Sequence, residues 1–151
     1  MVIVGIAFIV LGVDQIVKYL ISAFFVSHPT AVEVIPSVFY LAYVRNTGIA
    51  FGLFRDHTTL LMIAIVGSII ALMIYVITTD DKKWYHRLAY GFIFGGAFGN
   101  IVDRIYRGYV VDFLDFRICP VFNCADACIS VGVGILILDM LINNKTRKNH
   151  E

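Results

Sequence analysis

The sequence predicts a mainly α, polytopic membrane protein with four transmembrane helices and a small extracytoplasmic β-rich segment at the interface. Three observations predict it. Of 151 residues, 60% are hydrophobic. Only 15% are charged, against roughly 25% in a soluble domain. Four apolar stretches approach the roughly 20 residues a helix needs to cross the hydrocarbon core. A mean hydropathy of +0.85 agrees. A soluble chain this small has too much surface relative to its core to hide so much apolar side chain. Soluble enzymes, disordered tails and disulfide-stapled secreted modules are therefore excluded. Lys+Arg 12 against Asp+Glu 11 gives no basic field for nucleic acid. The length suits a single integral-membrane domain over residues 1–151.

The expected spans cover about 2–25, 58–77, 88–105 and 122–142. The second, LLMIAIVGSIIALMIYVI, carries no charge, whereas the other three hold ionisable or amide residues. Lys82, Lys83 and Arg87 between spans two and three, with Lys145, Arg147 and Lys148 in the tail, mark their side as cytoplasmic. Both termini then lie on that side, and Arg45, Arg55, Arg107 and Arg117 lie outside. The first span lacks a basic n-region, and its apolar run continues past Asp14 and Lys18, so it reads as a retained helix. The outer segment 27–57 includes VEVIPSVFYLAYV, whose β-branched and aromatic residues predict short interfacial strands.

A charge at the bilayer centre costs about 2.5–3.5 kcal/mol, so embedded polar residues face a bundle interior or a cavity. Asp14 and Lys18 stand i, i+4 on one helix face and can pair. They read equally as a neutralising pair or as support for a site. In FGGAFGNIVDR, Asn100, Asp103 and Arg104 share a face and read mainly as scaffolding. Gly95, Gly96, Ala97 and Gly99 let neighbouring helices approach. Asn123 and Asp126 are i, i+3 neighbours near the outer start of the fourth span. Asp139 is thirteen residues on, about 20 Å along the helix, so it is an interfacial residue outside that site. In GYVVDFLDF, Asp112 and Asp115 face opposite ways if the segment is extended and the same way if it is helical. Asp112 is fourteen residues from Asp126 with Pro120 between, within reach of a loop that turns back. By spacing, the two carboxylates could form an acid–base pair, bind a cation or relay protons.

Cys119, Cys124 and Cys128 lack the paired C-x2-C spacing of a zinc site and read as packing residues. His28, His57, His86 and His150 fall outside the expected spans and form no ligand pattern. No phosphate loop, G-x-S-x-G elbow or H-E-x-x-H occurs. Two other classes fit the embedded polar residues: a small ion- or proton-conducting transporter, and a metal-binding membrane protein using Cys124, Cys128 and Asp126.

Five blocks taken together resemble the lipoprotein signal peptidases (signal peptidase II), the bacterial membrane aspartyl proteases. They are DQIVK at 14–18, RNTGIAF at 45–51, GGAFGNIVDR at 95–104, VVDF at 110–113 and FNCADACISVG at 122–132, in family order. Ile49 stands where the family often has Ala, and the Asp112–Asp126 connection is short for the family. The resemblance implies that Asp112 and Asp126 are the catalytic dyad. It implies that Asn46, Gly48, Asn100, Asp103, Arg104 and Asn123 line or brace the site, with Asp14 and Lys18 supporting it. It further implies a diacylglyceryl-modified prolipoprotein as substrate, cut just before the lipidated Cys, and no metal or organic cofactor. The location implied is the bacterial cytoplasmic membrane, with the site near the outer face and lipid around a monomer. The segment 27–57 is expected to lie over the dyad as a cradle that positions substrate.

Overall fold

The computed structural model describes residues 1–48, 58–79 and 83–148. Helix α1 covers Val2–Ser27, strands β1 and β2 cover Val32–Ile35 and Phe39–Asn46, and helix α2 covers Thr58–Thr78. Helix α3 covers Trp84–Arg107, strand β3 Val110–Asp115 and helix α4 Cys124–Lys148. Each helix falls on an expected apolar stretch. Helix α3 begins earlier than Leu88 because its first turn, WYHR, is helical without being apolar. His86 therefore lies in a helix, not in the connection assigned to it by hydropathy. Gly108 ends α3 with φ 77°, and its N–H donates to the Arg104 carbonyl at 3.1 Å. Glycine tolerates this left-handed backbone without a Cβ penalty.

Helix α1 and the Cys124–Asn143 part of α4 are long and apolar enough to cross a membrane, and Met62–Thr78 of α2 is a shorter apolar stretch. Much of the outer surface is apolar, and a set of polar side chains is buried within. Phe8 and Ile9 (both 67% exposed) and Leu138 (60%) turn away from the protein. Asp14, Lys18, Asn100, Asp103, Asp112 and Asn123 are buried. Water would oppose both placements; hydrocarbon favours the first and demands internal pairing for the second.

Helix α3 lies between α1 and α4 because glycine removes the side chains that would hold them apart. An added Cβ at Gly95 would come 2.7 Å from the Ala7 carbonyl oxygen of α1. One at Gly132 of α4 would come 2.7 Å from the Ala89 carbonyl oxygen. One at Gly96 would collide with the Ala125 carbonyl. On the other flank of α3, Tyr90, Phe94 and Ala97 pack with Ile69 of α2.

The strands form an antiparallel sheet in the order β1-β2-β3, with Val44 opposite Asp112 and Asn46 opposite Val110. Two of these strands lie where the sequence predicts them. β3 settles the open conformation of GYVVDFLDF as extended, so Asp112 and Asp115 diverge: Asp112 is buried, while Asp115 bonds the Arg117 backbone at 2.9 Å. Arg117 has φ 64° in the turn that follows. Beyond it the Phe122 carbonyl accepts the Leu114 N–H at 2.8 Å. The chain thus doubles back and delivers Asn123 beside Asp112. Ile49 and the remainder of the outer segment through His57 lie outside the described residues.

The expected Asp14–Lys18 pair is one edge of a larger network. The Lys18 ammonium lies 2.9 Å from Asp14 Oδ2 and 3.0 Å from Asp103 Oδ2. It also donates to Asn100 Oδ1 at 3.0 Å. Asp103 in turn accepts the Val111 N–H of β3 at 3.2 Å, and Asp14 accepts the Ala125 N–H of α4 at 3.0 Å. One buried cation therefore links α1 and α3 directly, and its two carboxylates extend the link to β3 and α4.

Two predictions follow from packing and pairing. Lys18→Met leaves two buried carboxylates facing each other, and should destabilise the protein by about 3–5 kcal/mol in reversible unfolding from detergent. An unchanged unfolding midpoint would show that the ammonium is not the tie described. Gly95→Leu should cost about 1–3 kcal/mol by overpacking, whereas Gly67→Ala, with nothing within 4 Å of an added Cβ, should not destabilise. Equal losses in the two would refute close approach as the role of Gly95.

Candidate active site

The site is built from three asparagines whose carbonyl oxygens are each pinned and whose NH2 groups each face a carboxylate. Asn46, at the end of β2, accepts the Gly48 N–H on Oδ1 at 3.0 Å. Its Nδ2 therefore points to Asp112 Oδ2, at 2.8 Å. Asn123 accepts the Asp126 N–H on Oδ1 at 3.0 Å and donates to Asp112 Oδ1 at 2.6 Å. Asn100 receives the Lys18 ammonium on Oδ1 and donates to Asp126 Oδ1 at 2.8 Å. Asn123 Nδ2 also reaches Asn100 Oδ1 at 3.2 Å, so among the described residues the two carboxylates are bridged by amides and not by a cation.

Asn123 and Asp126 form a reciprocal cap at the start of α4. Asn123 precedes the first helical residue, and its backbone N–H donates to Asp126 Oδ2 at 3.3 Å. This is the capping-box arrangement, with Asp in the place usually taken by Glu or Gln. The N-x-x-D spacing was the available sequence signal for it. Asp126 consequently sits in the first helical turn, where the macrodipole favours negative charge.

The two acids differ in environment. Asp112 is 1% exposed, while Asp126 is half-buried. Burial pushes the Asp112 carboxyl up to about 6; the Asn46 hydrogen bond opposes this rise, and the nearby Asp126 charge adds to it. Both acids line a cavity of about 600 Å³, together with Asn46, Gly48, Asn100, Arg104 and apolar Val44, Phe122 and Ile129. Arg104 donates to the Gly48 carbonyl at 3.0 Å, tying α3 to the second residue after the end of β2. Its buried Nε has no hydrogen-bond partner among the described residues. The arrangement sets two carboxylates on one cavity that water can enter, and can offer amide and guanidinium N–H groups to a polar substrate.

The expected site residues divide into two layers. Asp112, Asp126, Asn46, Gly48, Asn100 and Arg104 line the cavity, with Asn123 buried directly behind the acids. Lys18, Asp14 and Asp103 stand one step further in: Lys18 bonds Asn100, while Asp103 and Asp14 bond the backbone N–H groups of Val111 and Ala125, the residues just before the two acids. Sequence reasoning missed Gln15, which donates to the Gly99 carbonyl at 3.1 Å and to Asp14 at 3.2 Å. Its only signal was its place between Asp14 and Lys18. Asp139 is remote, taking the Lys83 ammonium at 2.7 Å and the Tyr85 hydroxyl at 2.7 Å. Among the described residues no three His, Cys, Asp or Glu side chains converge as metal ligands.

The sequence pattern of signal peptidase (SPase) II matches residues 6–142. A lipoprotein signal peptidase of Desulfitobacterium hafniense is 41% identical over 144 residues, covering 95% of each chain. One from Moorella thermoacetica is 43% identical, covering 90% of each. A solved bacterial membrane enzyme, determined by the in meso method at 2.3 Å resolution, superposes with a TM-score of 0.83 at 30% identity, over 95% of this chain and 90% of that one. With that fold, that breadth of match and two carboxylates at one cavity, the chain belongs to the signal peptidase II family of bacterial membrane proteases.

Proposed function

We propose that the protein removes the signal peptide from diacylglyceryl-modified bacterial prolipoproteins, cutting just before the lipidated Cys, with Asp112 and Asp126 as its catalytic dyad. The observation that carries the reading is the amide-bridged pair of acids on one cavity, within a chain of this family. All four helices cross the bacterial cytoplasmic membrane as one domain. Both termini face the cytoplasm and the dyad lies near the outer face. The enzyme acts as a monomer surrounded by lipid and needs no cofactor.

The chemistry follows from the asymmetry of the two acids. Two carboxylates on one cavity cannot both ionise cheaply, so one proton is held by the pair. Asp112, the more deeply buried, holds the proton and hydrogen-bonds the scissile carbonyl. Asp126 takes a proton from the attacking water, and a proton then passes to the leaving amine as the C–N bond breaks. Arg104 lines the same cavity and can offer a guanidinium N–H to substrate. Asn46, at the end of the central strand β2, and Gly48 just beyond it lie beside the dyad, the part of the expected cradle that supports this placement. Ion conduction is disfavoured because the Lys18 network is closed: its charges satisfy one another away from the cavity.

In vitro cleavage of a diacylglyceryl-modified prolipoprotein tests the proposal. Wild type and Asp115→Asn should cleave, while Asp112→Asn and Asp126→Asn should lose at least about 10³-fold in rate with normal insertion. Full activity of Asp126→Asn would sink the dyad. The pH dependence has a definite sign. Activity requires the shared proton, so kcat/KM falls on the basic side as that proton leaves. Removing the Asn46 donor deprives ionised Asp112 of a bond, so Asn46→Ala should move the basic limb to higher pH. A shift to lower pH would contradict the arrangement. Native Asp112, at about 6 against an ordinary 3.8, binds its proton more tightly than the unfolded chain does. Its contribution to stability therefore falls as pH rises between those values.

A further inference from the structure

Arg45 is a cation at the outer end of the bundle that the dyad does not use. Successive residues of a strand face opposite sides, so with Asn46 turned in to Asp112, the Arg45 guanidinium lies on the Tyr43 and Tyr109 side, although the residue also borders the dyad cavity. Its guanidinium carbon stands 5.1 Å from the centroid of the Tyr109 ring and 5.8 Å from that of Tyr43. The two phenol oxygens meet at 3.2 Å. No carboxylate pairs with Arg45 among the described residues. Its neighbours on this side differ, since Arg107 pairs with Asp103 at 3.2 Å and Arg117 with Asp115 at 3.2 Å.

The depth of this group is set by two helix ends. The Tyr43 ring packs 6.1 Å from Phe25 in the last turn of α1, and Tyr109 follows the Gly108 cap of α3. At the same two helix ends Val26 is 83% and Tyr106 84% exposed, and the Arg107 charge is felt at the Tyr109 hydroxyl. Tyrosines at the point where helices leave the hydrocarbon mark the headgroup level. An arginine held there over aromatic faces, with no carboxylate partner among the described residues, matches a phosphate oxygen pair better than any neutral group.

We propose that Arg45, backed by Tyr43 and Tyr109, binds the phosphodiester of an outer-leaflet phospholipid whose acyl chains lie against Val26 and Tyr106. The inference rests on the reading that α1 and α3 end at the outer face of the membrane. The bound lipid would anchor β2, and with it Asn46, at a fixed depth.

Native mass spectrometry of the full chain in detergent, titrated with phosphatidylglycerol, tests it. Parallel arms use a diacylglycerol of the same acyl chains and inorganic phosphate alone. Phosphatidylglycerol should remain bound through ionisation, and neither comparison ligand should. Arg45→Gln should bind phosphatidylglycerol about fivefold more weakly, and Tyr109→Leu, which keeps apolar bulk but removes the ring, should also bind more weakly. Undiminished binding in both variants would overturn the proposal. So would equal retention of diacylglycerol, or of free phosphate. Asp112→Asn should keep lipid binding while losing cleavage, so failure of the lipid site and failure of the peptidase reading give different results.

Discussion

A single buried ammonium organises the interior. Lys18 has no water to solvate it and so requires acceptors from the protein, and it takes them from two helices. Burying a charge is costly unless it is paired and hydrogen-bonded. Here both of its carboxylates are also committed to backbone N–H groups of other elements. Moving α1, α3, β3 or the start of α4 would therefore strand part of the network. Its third acceptor is the oxygen of Asn100, which turns the other end of that amide toward Asp126. A charge deep in the bundle thus sets the direction of a neutral donor at the cavity.

The use of asparagine rather than lysine or arginine between the acids has an electrostatic consequence. A cation touching Asp112 would favour its ionised form strongly. An amide donor orients the carboxylate while leaving burial in control, which is why Asp112 sits well above an ordinary aspartate. The positive charge is kept one residue back, where Asp14 and Asp103 neutralise it. The glycines of α3 make the arrangement possible in space. Gly99 lies so near Asp14 that an added Cβ would come 2.5 Å from its Oδ2.

The helices were legible because span length and apolar composition are local properties, and the glycine run in α3 announced close packing. Asp14 and Lys18 were legible as a pair because helical spacing is local too. Asp103, their third member, was not, since it lies 85 residues from Lys18 and comes near only through packing of α1 on α3. β3 was ambiguous for a related reason: its pairing partner, β2, is more than sixty residues away, and alternation in VVDFLDF is too short to decide. The first turn of α3 was undercounted because interfacial Trp, Tyr and His residues are helical without being strongly apolar. The five motif blocks brought the acids and asparagines to attention through resemblance. The oxygens of Asn46 and Asn123 are pinned locally, by Gly48 and Asp126, whereas Asn100 is turned by Lys18, 82 residues away.

The reciprocal cap of α4 puts one side chain under two obligations. Asp126 accepts the Asn123 N–H and, on the proposed chemistry, must also take up and release a proton on every turnover. A carboxyl that alternates between charged and neutral is an inconstant cap. Helix α4 does not depend on it alone, because the Ala125 N–H is held by Asp14 from α1. That second fastening is insensitive to the state of Asp126. The helix start can thus keep its position through a catalytic cycle, and the proton can move without moving the scaffold that carries it.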